Sequence, residues 1–391
     1  MKKIFLASAS AAALFAAPAL AQQTQESDIW QNGEDNSATV TQTGVEGLSD
    51  IDQDGDDNVA EVTQSETSGS TPFNTAANVS NIDQDGDNSR ARVEQTNDNP
   101  GGASNIATIK QNSAYDPSNP NADATVESGF ANNARVIQNG SDNQSTITQD
   151  DVPLGITGAA AYNSQEGSGH RSTITQDSRS IPEYSPESRV DVFQSGTDNT
   201  STALQSRHNN QLIVDQSGSG NESFATQERF NNIATITQIN VGNDSYLSQD
   251  GVNGGNEAEV AQLGDDNGSR VRQLTGNEAG VSQSGDRNAS DVLQSSINLA
   301  SVDQSGNDNK SVLDQYNLNE ATIDQSGNNN VSFVEQAWDA SVSVNQSGNN
   351  NVSDIDQIGD ANAVSGNFAS VDQSGEYNDS FIQQDLSLIH I

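Results

Sequence analysis

Hydrophobic side chains in this sequence recur singly, at fixed intervals, among polar neighbours. An aliphatic residue stands two positions before a glutamine, Ala or Ser stands two positions before that, and Asn two before that again. Asn319, Ala321, Ile323 and Gln325 form one such set, and Asn330, Ser332, Val334 and Gln336 form the next. The frame also fits Asn36, Ala38, Val40 and Gln42, as well as Asn232, Ala234, Ile236 and Gln238. Side chains alternate faces along an extended strand, so a spacing of two puts all four residues on one side, whereas a helix would scatter them. The pattern predicts short strands, each with one face turned inward.

The glutamines repeat every 10 or 11 residues: Gln31, Gln42, Gln53 and Gln64 near the start, and Gln304, Gln315, Gln325, Gln336, Gln346 and Gln357 further on. Gln194, Gln205, Gln216, Gln227, Gln373 and Gln384 hold the same place, with Asn58, Asn199, Asn221, Asn309, Asn351 and Asn378 at the head of their units. Between strands the commonest link is Gln-x-Gly-x-x-Asn. Gly33, Gly55, Gly140, Gly196, Gly218, Gly306, Gly327, Gly348 and Gly375 occupy its third position. Glycine there supplies the positive φ of a tight turn, and Ser, Asn and Asp neighbours favour turns through local hydrogen bonds.

About 28 half-units can be read along the chain, and two of them make a strand-turn-strand rung of 21 or 22 residues. Stacking about 14 rungs at ~4.8 Å gives a column on the order of 65 Å tall, with Gln above Gln, Asn above Asn and aliphatic above aliphatic. Because each strand offers the core only one aliphatic and one small residue, in-register amide ladders must carry much of the cohesion. The expected fold is all-β: stacked strand-turn-strand repeats forming a β-solenoid-like amyloid column.

Proline cannot donate to a ladder. Pro72, Pro100, Pro117, Pro120, Pro153, Pro182 and Pro186 all fall between half-units. The stretches around them, 65–77, 96–104, 112–131, 150–169 and 177–187, read as excursions from the column. From about residue 188 to 385 the repeat is nearly continuous, whereas 22–187 carries the proline-bearing insertions.

Composition changes the picture in two ways. Hydrophobic residues make up only 31% of the 391 residues and the formal charge is −40, values that point to disorder until the repeat is recognised. The acidity argues against nucleic acid and anionic membranes as partners, since their phosphates would be repelled. There is no cysteine, so order has to come from backbone pairing and packing.

Lys2 and Lys3 precede an apolar run from Ile4 to Ala17 and a small-residue site at Ala19-Leu20-Ala21. That arrangement reads as a Sec signal peptide over 1–21, and the mature chain is expected outside the cytoplasm. The tail, 386–391, leaves the repeat abruptly and resembles translated sequencing-adapter sequence. An authentic terminus and an adapter-derived one both stand open.

The unit resembles the curlin repeat, Ser-x5-Gln-x-Gly-x2-Asn-x-Ala-x3-Gln. Gln31, Gly33, Asn36, Ala38 and Gln42 match its later portion in full, as do Gln53, Gly55, Asn58, Ala60 and Gln64. Later units usually carry Ser for Ala, and the strand that begins with Ser in the family often begins with Asn here, as at Asn298 and Asn319. The resemblance implies a subunit or nucleator of curli-like amyloid fibres for biofilm matrix and surface adhesion. It also implies a homopolymer on the cell surface, a nucleating partner and an outer-membrane secretion pore. The rival is a monomeric acidic β-solenoid adhesin or cation-binding surface protein.

Other chemistry is weaker. The turns Asp54-Gly55-Asp56-Asp57-Asn58 and Asp85-Gly86-Asp87-Asn88 offer oxygen ligands but lack the EF-hand spacing, so weak divalent-cation association is the most they imply. His170, His208 and His390 are isolated, and His170 occupies an Asn slot ahead of Ser172, Ile174 and Gln176. No unique constellation of catalytic groups is present; the reading is non-enzymatic, with no cofactor. Trp30 and Trp338 read as turn or strand-edge residues. Asp314, Glu335 and Asp356, and separately Asp303 and Asp324, precede ladder glutamines and should form outward rows of like charge.

Overall fold

The computed structural model describes residues 25–44, 47–66, 78–97, 103–113, 132–152, 159–179, 188–207, 209–251, 254–359 and 366–385. Residues 1–21, read as a signal peptide, the tail at 386–391, His208, His390 and all the prolines lie outside the described residues.

Among the described residues the chain forms 29 strands, from Glu26–Asn32 to Asp379–Asp385, and no helix. Consecutive strands alternate between two open sheets, one of 15 odd-numbered strands and one of 14 even-numbered strands, hereafter the odd and the even sheet. Each strand pairs in parallel with the strand one full rung away. In the even sheet Leu212 stands beside Ala234, Val214 beside Ile236 and Gln216 beside Gln238. In the odd sheet Ser223 stands beside Ser245, Ala225 beside Leu247 and Gln227 beside Gln249. The register keeps every slot of the repeat in its own column.

The inward faces of the two sheets meet in one thin core. Ile174, Leu212, Val214, Ile236, Leu247 and Ile323 are fully buried in it. Each rung supplies that core with only two aliphatic side chains, too little apolar burial to order its own residues. A rung therefore depends on the hydrogen bonds and contacts of its neighbours, as stacked repeats generally do.

One expectation is corrected. The stretch from about 150 to 169 reads as an excursion in the sequence, yet Ala160–Ser168 within it is a strand of the even sheet, paired in register with Asn133–Ser141 and Arg189–Thr197. The pattern hid it because Asn163 fills the aliphatic slot. Its buried amide donates from Nδ2 to Ser145 Oγ of the facing sheet at 2.6 Å, while its Oδ1 is left without a partner. The remaining excursions fall largely outside the described residues, the column reaching into them as far as Glu66, Asn97, Ser113 and Arg179.

Candidate functional site

The ladder glutamines form two one-way chains of side-chain hydrogen bonds. In the odd sheet Gln31 Nε2 donates to Gln53 Oε1 at 2.6 Å, Gln205 to Gln227 at 2.7 Å, Gln315 to Gln336 at 3.0 Å, Gln336 to Gln357 at 3.3 Å and Gln357 to Gln384 at 2.6 Å. In the even sheet Gln42 donates to Gln64 at 2.8 Å, Gln194 to Gln216 at 2.8 Å, Gln304 to Gln325 at 2.8 Å, Gln325 to Gln346 at 2.9 Å and Gln346 to Gln373 at 2.8 Å. Every donor points toward the C-terminal end. The same Nε2 also donates across the core to a backbone carbonyl of the facing sheet, as Gln216 does to Thr200 at 3.0 Å and Gln325 to Lys310 at 3.0 Å. Glutamines inside the stack, such as Gln216 and Gln325, thus tie rung to rung and sheet to sheet. Aligned amides in a low-dielectric interior also polarise one another.

Asparagine does different work. Its Oδ1 accepts from the backbone N–H of the next rung: Asn58 donates to Asn36, Asn221 to Asn199, Asn330 to Asn309, Asn351 to Asn330 and Asn378 to Asn351, all at 3.0–3.1 Å. Its Nδ2 reaches the carbonyl of the next turn, from Asn36 to Gly55, Asn199 to Gly218, Asn309 to Gly327, Asn330 to Gly348 and Asn351 to Gly375. Asparagine therefore fastens each turn onto the turn beyond it.

The turn glycines all have positive φ, from 101° at Gly196 to 137° at Gly348. They face a second constraint. A Cβ at Gly140 would lie 1.8 Å from Gly167 O, and one at Gly306 would lie 2.1 Å from Gly327 O, so stacked glycines leave no room for a side chain. They also do not share one edge. Gly33 and Gly55 follow odd-sheet strands, whereas Gly140, Gly196, Gly218, Gly306, Gly327, Gly348 and Gly375 lie at the ends of even-sheet strands. The glycine column changes sides of the molecule between Gly86 and Gly140.

Sequence reasoning treated Ala and Ser as interchangeable, but the structure separates them. Ser201, Ser223, Ser245, Ser269, Ser290 and Ser311 line the inner face of the odd sheet, opposite Ala234, Ala258, Ala279, Ala300 and Ala321 of the even sheet. The signal was present as a Ser/Ala alternation from one half-unit to the next.

His170 is fully buried in its Asn slot. Asn199 N–H donates to its Nδ1 at 3.3 Å, and its Nε2 lies 3.1 Å from Glu166 O. Nε2–H therefore donates to Glu166 and the ring is neutral. Burial pushes its pKa down, against the opposing pull of the Glu166 carbonyl.

In the acidic rows, Asp303 stands beside Asp324, and Asp314, Glu335 and Asp356 stand side by side. Desolvation first, and then the Asp324 charge, raises the pKa of Asp303. Asp314 is raised by desolvation and Asp291, with Arg272 opposing. Asp52 is raised by desolvation and then by Asp83, its neighbour across the odd sheet.

The turn carboxylates are engaged within the stack. Asp56 Oδ1 accepts from Glu34 N–H at 2.6 Å, and Asp87 Oδ1 from Asp56 N–H at 2.7 Å. Among the described residues no three His, Asp or Glu side chains gather into a metal-binding group. Trp30 and Trp338 are exposed, on a strand and in a turn respectively.

Residues 122–150 match the family model of the curlin associated repeat. The described part of that segment contains Asn133–Ser141 and the start of Gln144–Val152, including Gln138 and Gln149 of the two ladders. The match supports kinship with the curlin-repeat family and with curli-type amyloid subunits in general. No curated protein matches the chain.

Proposed function

We propose that this protein is a secreted structural subunit of curli-like amyloid fibres, built for biofilm matrix and surface adhesion, with no catalytic role and no cofactor. In this reading 1–21 is the export signal, 22–187 and 188–385 are the insertion-bearing and near-continuous parts of one column, and 386–391 stands outside it. Export passes through an outer-membrane pore, and a nucleating subunit starts growth.

The observation that carries the reading is the pair of in-register, one-way glutamine ladders running through both sheets. At one end of the described column Gln31 and Gln42 present acceptors, and at the other Gln373 and Gln384 present donors. Parallel in-register stacking of identical slots is the arrangement that propagates between chains in cross-β assemblies, and unpaired strand edges template it.

The test is to incubate the chain from residue 22 without denaturant, then follow it by electron microscopy, fibre diffraction and amyloid-dye fluorescence. Fibres with the ~4.8 Å strand repeat, and a lag that preformed seeds shorten, are expected. A monodisperse monomer persisting for days at micromolar concentration would establish the adhesin instead.

A further inference from the structure

On the edge where odd-sheet strands turn into the even sheet, the links after Gln273, Gln294, Gln315 and Gln336 are one residue shorter than Gln-x-Gly-x-x-Asn. The chain turns there through a left-handed residue directly before the next inward slot: Gly276 at φ 63°, Ile297 at 51°, Leu318 at 57° and Asp339 at 52°. In the longer links the corresponding left-handed residue is Asp308, Asn329 or Asn350, types that tolerate this conformation. Ile297 is β-branched, the residue class least suited to it. Two successive rungs therefore hold aliphatic side chains where turn chemistry disfavours them.

Those side chains gain no burial in exchange. Ile297 is 60% exposed, Leu318 56% and Trp338 41%. Together they line a groove of about 520 Å³ whose margin carries Glu278, Glu320 and Asp339. No lysine or arginine pairs with these three carboxylates among the described residues. The volume lies in the range of ligand sites, and local rules broken without a structural return concentrate at functional positions.

We infer that this groove is a lateral docking site for a cationic amphipathic polypeptide segment, with apolar side chains seated on Ile297, Leu318 and Trp338 and lysine or arginine meeting Glu278, Glu320 and Asp339. The carboxylate margin selects the positive charge. A second copy of this chain is a poor occupant, since each carries a formal charge of −40. Because the groove faces sideways from the column, it stays open whether the chain is monomeric or stacked, and the inference does not depend on fibre formation.

The probe is a fluorescein-labelled peptide of alternating lysine and leucine, titrated into the full chain and followed by anisotropy. Trp338 emission, read in a Trp30→Phe background, reports on the site itself. The peptide should bind and shift Trp338 emission. The double variant Ile297→Asn, Leu318→Asn should weaken binding by about tenfold or more with a melting midpoint no lower than wild type, because Asn suits the left-handed turn. Glu278→Gln with Glu320→Gln should weaken binding and reduce its salt dependence without touching the turn. Undiminished affinity in either pair of substitutions overturns the inference. So does equal binding of an all-lysine peptide, which would make net charge the attraction, or of a glutamate-leucine peptide, which would make it unselective apolar contact.

Discussion

Gln304 donates its side-chain amide to Gln325 at 2.8 Å, and Gln325 donates onward to Gln346 at 2.9 Å and across the core to Lys310 O at 3.0 Å. All three glutamines are fully buried. Gln325→Met keeps the volume and removes every one of these bonds, leaving Gln346 Oε1 with no donor. A buried group left unpaired costs about 1–3 kcal/mol, so hydrogen exchange in the adjoining rungs should accelerate and the denaturation midpoint should fall. Gln383→Met, at an exposed outward position beside the ladder, is the control and should be near neutral. Equal effects at the two sites would mean that the amide chain contributes little.

Much of this arrangement was legible because its period is two and its register is set by one residue type. The Gln column identifies strands, faces and rung length together. Three features were not legible for physical reasons. Asn163 holds an aliphatic slot, where its Nδ2 donates to Ser145 Oγ and its Oδ1 is unpaired. The string Gln-x-Gly-x-x-Asn reads alike at either edge of the column, so the move of the glycines from one side to the other shows only once the strands are assigned to sheets. The raised pKa of Asp314 comes first from desolvation, a consequence of packing that like-charge spacing does not reveal.

Gly375 gives the proposed growth direction a direct test. A Cβ at Gly327 would lie 2.0 Å from Gly348 O, whereas at Gly375 it meets nothing nearer than Asn378 Nδ2 at 3.9 Å. Gly375→Ala should therefore leave the column's own packing intact apart from its positive-φ cost, while obstructing a further rung laid against it. Gly220→Ala, also at positive φ with nothing within 4 Å, controls for backbone strain. Seeded elongation should slow in the first variant and not in the second. Equal rates would place growth elsewhere than on this edge.

His170 should make the column sensitive to mild acid. In the folded state its Nδ1 accepts from Asn199 N–H, so a proton there would set donor against donor, and burial already lowers its pKa. The unfolded chain protonates near the ordinary value of about 6.5 while the column still resists. Stability is thus full above that value and is lost as pH falls toward the depressed folded pKa. His170→Asn restores the usual occupant of the slot and should abolish this loss. A denaturation midpoint in wild type that holds steady between pH 7 and 5, as tracked by the variant, would show that the imidazole is not the sensor.

The acidic rows act with the opposite sign. Asp52, Asp303 and Asp314 have pKa values raised in the column, chiefly by desolvation and then by neighbouring aspartates. The folded state binds protons there at pH values where the unfolded chain has released them. Their contribution to stability therefore falls as pH rises from about 3.9, the ordinary aspartate value, through the raised folded values, and is regained on acidification. Asp308 opposes this, since the Arg287 guanidinium bound to it holds its carboxyl low. Because the His170 loss on acidification sets in at a higher pH than the aspartate recovery, the wild-type profile should dip in mildly acid solution and recover in part on further acidification. Converting Asp52, Asp303 and Asp314 to Asn should flatten the recovery and leave the His170 limb in place, measured as denaturation midpoints at constant ionic strength. Recovery of equal size in the triple variant would assign the acid response to the chain's overall charge of −40 rather than to these rows.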